Sequence, residues 1–214
     1  MIEDVLGAYW YAGAPGSGKT TRALRDAASL SARTGWPIVA LDTVGAAQFD
    51  AIGRSGDLWD LARRVWGRGE AGAYWPKGEE DAERFFAVMW GGRRAHVVVD
   101  EAHYWASPYR ILPGLSLLLR SFRHAEVSLH LTTQSFGDIP QGALAQAPRL
   151  YIFRNLAPRA LERLEDYTGI EGSRIRALPR FTFLSWSGAF GAASEKPIDI
   201  IGSADLDSPG SKET

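Results

Sequence analysis

The chain has 214 residues, of which 45% are hydrophobic and 23% charged, values close to those of average globular domains. This length allows one sizeable hydrophobic core, so we expect a single domain over residues 1–202. The formal net charge of −1 argues against a surface permanently coated with nucleic acid, but it is compatible with a local basic rim. Because the chain has no cysteine, disulfides, iron–sulfur clusters and thiolate zinc sites are excluded.

The N-terminal residues do not have the pattern of a signal peptide. The segment Met1–Asp4 is acidic where a signal peptide would be basic. The longest apolar runs, at 97–99 and 111–119, are shorter than the roughly 20 residues that span a bilayer. We therefore expect a cytosolic protein without a direct membrane span. From Ser203 onward Ser, Asp, Gly and Lys predominate, which predicts a disordered tail over 203–214.

The hydrophobic pattern of the first half predicts alternating strands and helices. A short apolar strand precedes a glycine-rich turn, an amphipathic helix and a second strand. This order favours a parallel, right-handed crossover. We expect strands at 6–12, 37–42 and 95–100, helices at 20–33, 58–66 and 79–90, and a loop-rich stretch at 67–78.

The second half continues in the same way. Its last predicted strand is expected to pair as an edge hairpin. The whole pattern predicts an α/β fold with a mostly parallel central sheet flanked by helices. We expect helices at 115–123, 140–146 and 157–167, strands at 127–133 and 149–153, and a hairpin of 181–186 with 197–201.

A phosphate-binding loop is predicted between the first strand and the first helix. The segment Gly13–Thr20 has the pattern Gly-x4-Gly-Lys-Thr. Glycines allow the backbone N–H groups to surround a phosphate, and the helix N-terminus adds a favourable dipole. Lys19 is expected to reach the β- and γ-phosphates of ATP, and the Thr20 hydroxyl to bind Mg²⁺. The expected nucleotide-binding residues are Gly13, Ala14, Pro15, Gly16, Ser17, Gly18, Lys19, Thr20 and Thr21.

Two carboxylates follow the predicted strand at 95–100. In open α/β sheets ligands bind at the carboxyl ends of the strands. We expect Asp100 to hold Mg²⁺ through a water, and Glu101 to polarise the attacking water as general base. Together with the phosphate loop, the pair predicts an ATP hydrolase.

The tetrapeptide Asp100–His103 also spells the box of superfamily 2 helicases. Those enzymes need two lobes and a late Gln/Arg-rich motif. This chain has room for one lobe and shows no such motif, so we interpret the match as coincidental. For His103 a hydrogen-bonded structural role is favoured over coupling to the γ-phosphate.

A basic segment and a polar strand end follow the carboxylates. Arg123 precedes the strand at 127–133, and Gln134 ends it. With Gly13–Thr20 and Val97–Glu101, these features occur in the order found in the HerA/FtsK group of P-loop motor ATPases. The chain resembles this group over nearly its whole length, and most closely its genome-packaging ATPases of tailless, internal-membrane viruses. Zot-like filamentous-phage assembly ATPases are near relatives.

The resemblance implies a RecA-like core that assembles into a homo-oligomeric ring, usually of five or six subunits, around double-stranded DNA. It implies that Arg123 is an arginine finger acting on the neighbour's ATP, with Arg120 second and Arg154 third in rank. Gln134 would contact the γ-phosphate or its attacking water. The expected partners are viral capsid or portal-vertex proteins, in the host cytoplasm or in the virion.

Three other functions remain open at this stage. They are a Zot-like assembly or secretion ATPase, a small-molecule or nucleotide kinase, and a regulatory nucleotide-binding module. Residues that contact DNA are not identified by pattern. The candidates are Arg54, Arg63, Arg64, Arg68 and Lys77, of which Arg63 and Arg64 are equally consistent with a solvated helix face.

Overall fold

The computed structural model describes residues 6–146, 149–155, 157–187 and 200–203. Strands and helices alternate along this part of the chain. The strands are β1 Ala8–Ala12, β2 Ile38–Leu41, β3 Arg54–Ser55, β4 Gly72–Tyr74, β5 Ala95–Val99, β6 Ala106–Ser107, β7 Arg110–Ile111, β8 Val127–Thr133, β9 Arg149–Phe153, β10 Thr182–Ser187 and β11 Ile200–Ser203. The helices are α1 Lys19–Thr34, α2 Leu58–Arg68, α3 Glu79–Gly92, α4 Pro113–Ser121, α5 Gln141–Leu144, α6 Pro158–Thr168 and α7 Gly172–Arg176.

Within the described residues, nine of the strands form one sheet in the order β11-β10-β9-β1-β8-β5-β2-β4-β3. The strands from β9 to β3 are parallel, and β10 is antiparallel to both of its neighbours. The predicted mostly parallel α/β fold is therefore confirmed. Strand β8 lies between β1 and β5, so the segments that follow these three strands meet at one edge of the sheet.

Most predicted elements occur within a few residues of their expected bounds, and the strands at 127–133 and 149–153 match theirs. The edge hairpin is confirmed, because β10 pairs with β11 in antiparallel register. The predicted tail lies outside the described residues from 204 onward. Among the described helices, none is long and apolar enough to cross a membrane.

The loop-rich interpretation of 67–78 is wrong, because β4 lies within it and extends the sheet beyond β2. Gly72 is a residue type that usually weakens a strand, but here it allows close packing between β4 and α2. A Cβ at Gly72 would overlap with Cδ1 of Leu61 on α2. The glycine therefore allows α2 to lie directly on β4.

Side chains on the two faces of the sheet build two cores, because successive residues of a strand point to opposite faces. On β1, Trp10 belongs to the larger core, which includes Phe85 of α3 and Leu118 of α4. Tyr9 and Tyr11 belong to the smaller core under α1. Helix α1 faces these rings with small residues, among them Ala23 and Ala27, which let the helix approach the sheet closely.

A hydrogen-bonded chain of polar side chains crosses the sheet beneath α1. The Tyr11 hydroxyl lies 2.9 Å from Nδ1 of His130, whose Nε2 lies 3.2 Å from Oγ of Ser128. Ser128 Oγ lies 2.6 Å from Nδ1 of His96, and Nε2 of His96 lies 2.9 Å from Oγ1 of Thr34. Both imidazoles are fully buried. These hydrogen bonds give each ring nitrogen of the two histidines a partner, as buried polar groups require.

Protonation of these histidines should destabilise the protein in mild acid. Burial lowers the pKa of His96 to about 4. Burial and the neighbouring His96 lower the pKa of His130 to about 3. In the unfolded chain a histidine titrates near pH 6.5, so below that pH the unfolded state binds protons that the folded state does not. We expect the free energy of unfolding, measured with urea, to fall as pH drops from about 6.5 to 4.

The control compares two kinds of variant. His96→Asn combined with His130→Asn should flatten this pH dependence, although it also lowers stability at neutral pH. His124→Asn changes an exposed histidine and should leave the pH dependence as in the wild type. An equal slope in the double variant and the wild type would contradict the assignment.

Candidate active site

The loop Gly13–Thr20 is fixed at the carboxyl edge of the sheet by hydrogen bonds to the strands on both sides of β1. The Gly13 N–H donates to the Thr133 carbonyl at 3.1 Å, and the Ala14 N–H donates to the Arg154 carbonyl at 2.9 Å. Gly18 has φ 99° and ψ 4° immediately before α1 begins at Lys19. An L-residue with a Cβ rarely adopts this conformation, so glycine is required where the loop turns into the helix.

The structure brings the predicted loop and the predicted carboxylates into direct contact. Lys19 Nζ lies 2.9 Å from Glu101 Oε1, and the two side chains are only 6% and 9% exposed. The adjacent residues Thr20 and Asp100 also meet, because the Thr20 hydroxyl donates to Asp100 Oδ1 at 3.0 Å, across 80 residues of sequence. Lysine, threonine and two carboxylates thus form one cluster at the start of α1.

Both carboxylate oxygens of Glu101 are engaged. Oε1 pairs with Lys19, while Oε2 accepts the Gln134 N–H at 3.0 Å and lies 3.3 Å from His103 Nδ1. Burial alone would raise the pKa of Glu101, but the hydrogen bond from His103 and the charge of Lys19 outweigh it and hold that pKa below its ordinary value. Glu101 is therefore ionised at neutral pH, the state that its predicted role as general base requires.

The backbone at Glu101 is in the left-handed region, with φ 46° and ψ 54°. This conformation is uncommon for a residue with a side chain and is typical of functional sites, where the surrounding structure maintains it. Here it directs the chain sharply away from β5 into the short 3₁₀ helix Ala102–Tyr104. The contacts with Lys19, His103 and Gln134 hold the side chain in place.

Thr132 belongs to the site, although the sequence did not single it out. Its hydroxyl donates to Asp100 Oδ1 at 2.9 Å and accepts the Glu101 N–H at 3.0 Å, so it connects both carboxylate residues to β8. Burial raises the pKa of Asp100, an effect that the hydrogen bonds from Thr132 and Thr20 reduce. The signal in the sequence was a threonine at a position where the strand should be fully buried.

The side-chain oxygens of Thr20 and Asp100 are suitable ligands for the expected Mg²⁺ ion. Mg²⁺ takes oxygen ligands, usually one or two protein groups together with waters and substrate phosphates. The Thr20 hydroxyl and the Asp100 carboxylate supply such oxygens beside the loop, and a hydrogen bond 3.0 Å long already holds them together. The imidazoles of His96 and His130 have other partners, because they belong to the hydrogen-bonded chain of polar side chains beneath α1.

Gln134 follows β8 and lies beside Glu101, and its backbone N–H makes the contact just described. The three arginines that were candidates for the finger lie at two different edges of the sheet. Arg154 follows β9 next to the loop. Arg120, at the end of α4, and Arg123, in the turn before β8, are exposed at the amino end of β8. The seven residues of β8 separate that end from the loop by about 23 Å.

The arginines considered as DNA contacts have acidic partners within the chain. Every one of the four lies within 4.0 Å of a carboxylate, which reduces its contribution to a basic surface. Lys77 is exposed. The pairs are Arg54 with Asp42 and Asp50, Arg63 with Asp60, Arg64 with Glu70, and Arg68 with Glu70.

No protein-family model and no curated protein matches the chain. Solved structures do match it. The genome-packaging NTPase B204 from Sulfolobus turreted icosahedral virus 2, in complex with ATP-gammaS, superposes with a TM-score of 0.70 and 17% sequence identity. The match covers 85% of this chain and 92% of B204. The fold is that of a RecA-like P-loop NTPase.

More distant structures share this fold. The bacterial conjugative coupling protein TrwB matches with a TM-score of 0.56 at 11% identity, over 85% of this chain and 82% of the other. VirB4 of Thermoanaerobacter pseudethanolicus matches with a TM-score of 0.60 at 10% identity, over 85% and 86%. The chain therefore has the fold that is expected for the group that the motifs indicate.

Thr132 provides a test of the geometry. In Thr132→Val the shape is kept, but Asp100 loses a hydrogen bond and the buried Glu101 N–H loses its acceptor. We expect the free energy of unfolding to fall by about 1–3 kcal/mol, the usual cost of leaving a buried polar group unpaired. Thr132→Ser keeps the hydroxyl and should retain most of that stability. Equal losses in the two variants, measured by urea unfolding, would show that the hydroxyl does not stabilise the site.

Proposed function

We propose that this protein is an ATPase that moves double-stranded DNA into a viral capsid. The observation that supports it best is the buried cluster in which Lys19 contacts Glu101 and Thr20 contacts Asp100. A glycine-rich turn alone would suggest only that phosphate binds. An ionised glutamate beside the loop adds the group that hydrolysis requires.

The loop N–H groups and Lys19 bind the phosphates of ATP in this proposal, and the Thr20 and Asp100 oxygens hold Mg²⁺. Mg²⁺, when bound, neutralises charge that develops on the phosphates. Phosphate competes with Glu101 for Lys19, so nucleotide binding releases Oε1 of Glu101. The freed carboxylate accepts a proton from the attacking water. The Gln134 side chain contacts the γ-phosphate or that water.

We infer that the ATPase works as a ring of identical subunits, usually five or six, with DNA in the centre. Strand β8, about 23 Å long, separates the turn that carries Arg123 from the phosphate loop of the same subunit, and an arginine side chain is much shorter than this strand. A neighbouring subunit can present its Arg123 to this site instead. In the described residues Arg123 has no acidic partner within 4.0 Å, which leaves its charge available for the neighbour's ATP.

Viral packaging is preferred to the other motor functions because of the structural match. B204 is a genome-packaging NTPase, and its length is almost entirely covered by the superposition. Capsid or portal-vertex proteins are the partners we propose, with the protein acting in the host cytoplasm or in the virion. A kinase would need a phosphate acceptor other than water, whereas in this proposal Glu101 acts as the base that activates a water.

Turnover of ATP tests the function. We expect hydrolysis to be stimulated by double-stranded DNA and abolished in Glu101→Gln. Arg123→Ala should lower turnover by about 10³-fold or more, the usual effect of losing an arginine finger. Arg84→Ala, a change at an exposed arginine of α3, is the matched control and should behave as the wild type. Turnover that ignores DNA and depends on a small phosphate acceptor would indicate a kinase.

Mixing variants tests whether Arg123 acts across a subunit interface. Glu101→Gln subunits keep Arg123, and Arg123→Ala subunits keep Glu101. A mixture therefore contains sites with an intact base from one subunit and an intact finger from the next. We expect partial recovery of ATP turnover at equal proportions. Absence of recovery in mixed oligomers of verified composition would rule out action in trans.

A further inference from the structure

A second group of basic side chains lies against the phosphate loop, on the side away from Glu101. It borders a cavity of about 200 Å³. From the sequence, Arg154 ranks only third among the candidates for the arginine finger, and no pattern indicates a role for Arg180. The cavity is lined by Ala14, Pro15, Gly16, Ser17, Arg154 and Arg180.

The antiparallel pairing of β9 with β10 brings the two arginines to the same place. Arg154 comes just after the carboxyl end of β9, and Arg180 comes two residues before the amino end of β10. Since these ends are neighbours in an antiparallel pair, both residues lie at the edge of the sheet that carries the loop. The Arg154 carbonyl accepts the Ala14 N–H at 2.9 Å, which fixes its backbone against the loop.

Arg180 contacts the loop directly. Its Nε donates to the Gly16 carbonyl at 3.3 Å, and its guanidinium lies 4.8 Å from the centre of the Phe181 ring. The hydrogen bond is long, since most N–H···O bonds are about 2.9–3.0 Å. Gly16 has φ 68°, and a Cβ there would lie 3.4 Å from Nη2 of Arg180. The guanidinium of Arg180 thus contacts the loop backbone at Gly16, where no side chain intervenes.

The charges around this cavity are unbalanced. Among the described residues, no carboxylate lies within 4.0 Å of the guanidinium of Arg154 or of Arg180. A buried polar atom at the same cavity is also unpaired, because Ser17 Oγ has no hydrogen-bond partner and Ser17 is only 5% exposed. Two guanidinium groups without a carboxylate partner and one unpaired hydroxyl, next to a phosphate loop, fit an anionic ligand with several oxygens.

We propose that Arg154 and Arg180 bind the β- and γ-phosphate oxygens of the nucleotide held by their own subunit. This inference rests on the proposed nucleotide binding and adds two further residues to the site. On binding, Arg180 exchanges the long hydrogen bond to Gly16 for a charge-assisted bond to phosphate. The site then takes positive charge from three directions, namely Lys19 and this arginine pair in cis, and Arg123 of the neighbour in trans.

The test measures equilibrium binding of ATPγS, ADP and AMP by titration calorimetry, so that it does not depend on turnover. We expect Arg180→Ala and Arg154→Ala each to weaken ATPγS binding by about 10- to 100-fold, the usual effect of losing a charge-assisted hydrogen bond. AMP binding should change less than about twofold, since AMP has no β- or γ-phosphate. Arg180→Lys keeps the charge and should lose less affinity than Arg180→Ala.

Arg176→Ala is the matched control, because Arg176 is an exposed arginine of α7 four residues before Arg180. It should bind all three nucleotides as the wild type does. Thermal unfolding of each variant without nucleotide checks that the fold is kept. If one alanine variant does not fold, the other and Arg180→Lys still give the comparison.

Two results would overturn the inference. Unchanged ATPγS binding in both alanine variants would show that the arginines do not contact phosphate. An equal loss for AMP and ATPγS would show that the arginines contact the nucleoside or the α-phosphate instead of the β- and γ-phosphates. In either case wild-type binding of ATPγS would leave the proposed function standing. Failure of the wild type to bind any of the three would instead remove the proposed function and this inference with it.

Discussion

The buried ion pair between Lys19 and Glu101 is the interaction on which the arrangement of the site depends. Removing two charges from water costs several kcal/mol for each ion, so neither residue would remain there without the other. The pair joins the start of α1 to the end of β5, although β8 lies between β5 and the strand that leads to α1. The hydrogen bond between the adjacent residues Thr20 and Asp100 makes a second connection between the same two segments. Phosphate is the ligand best suited to replace the carboxylate at Lys19, because it also is anionic and accepts hydrogen bonds.

Strand β8 makes this geometry possible. Its position between β1 and β5 places Thr132 within hydrogen-bond distance of both Asp100 and Glu101. The same strand carries Gln134 at one end and follows Arg123 at the other. In the proposed ring, this strand thus connects Gln134, at the site of its own subunit, to Arg123, which would act at a neighbour's site. A movement of β8 in that ring would displace residues at two nucleotide sites at once. This offers a physical basis for coordination between subunits.

The arginines of this protein differ in whether a carboxylate lies near the guanidinium group. Several on the surface of the β3–β4 region have carboxylates within 4.0 Å and contribute little net charge. Arg154 and Arg180 lie beside the phosphate loop without such partners in the described part of the chain. An unpaired guanidinium retains its full attraction for an anion, whereas a paired one must first give up its carboxylate. Their position beside the loop therefore matters more than the overall charge of −1.

The sequence by itself determined the phosphate loop, the carboxylates Asp100 and Glu101, and most of the strands and helices. These features depend on residues close together in the chain, whose spacing and hydrophobic period can be recognised directly. Only the tertiary structure identified β4, a three-residue strand whose neighbours rather than its own pattern stabilise it. It also decided which arginines are neutralised, since those partners come from the fold. The contact of Arg180 with Gly16 spans 164 residues, a distance over which no local pattern records that two residues meet.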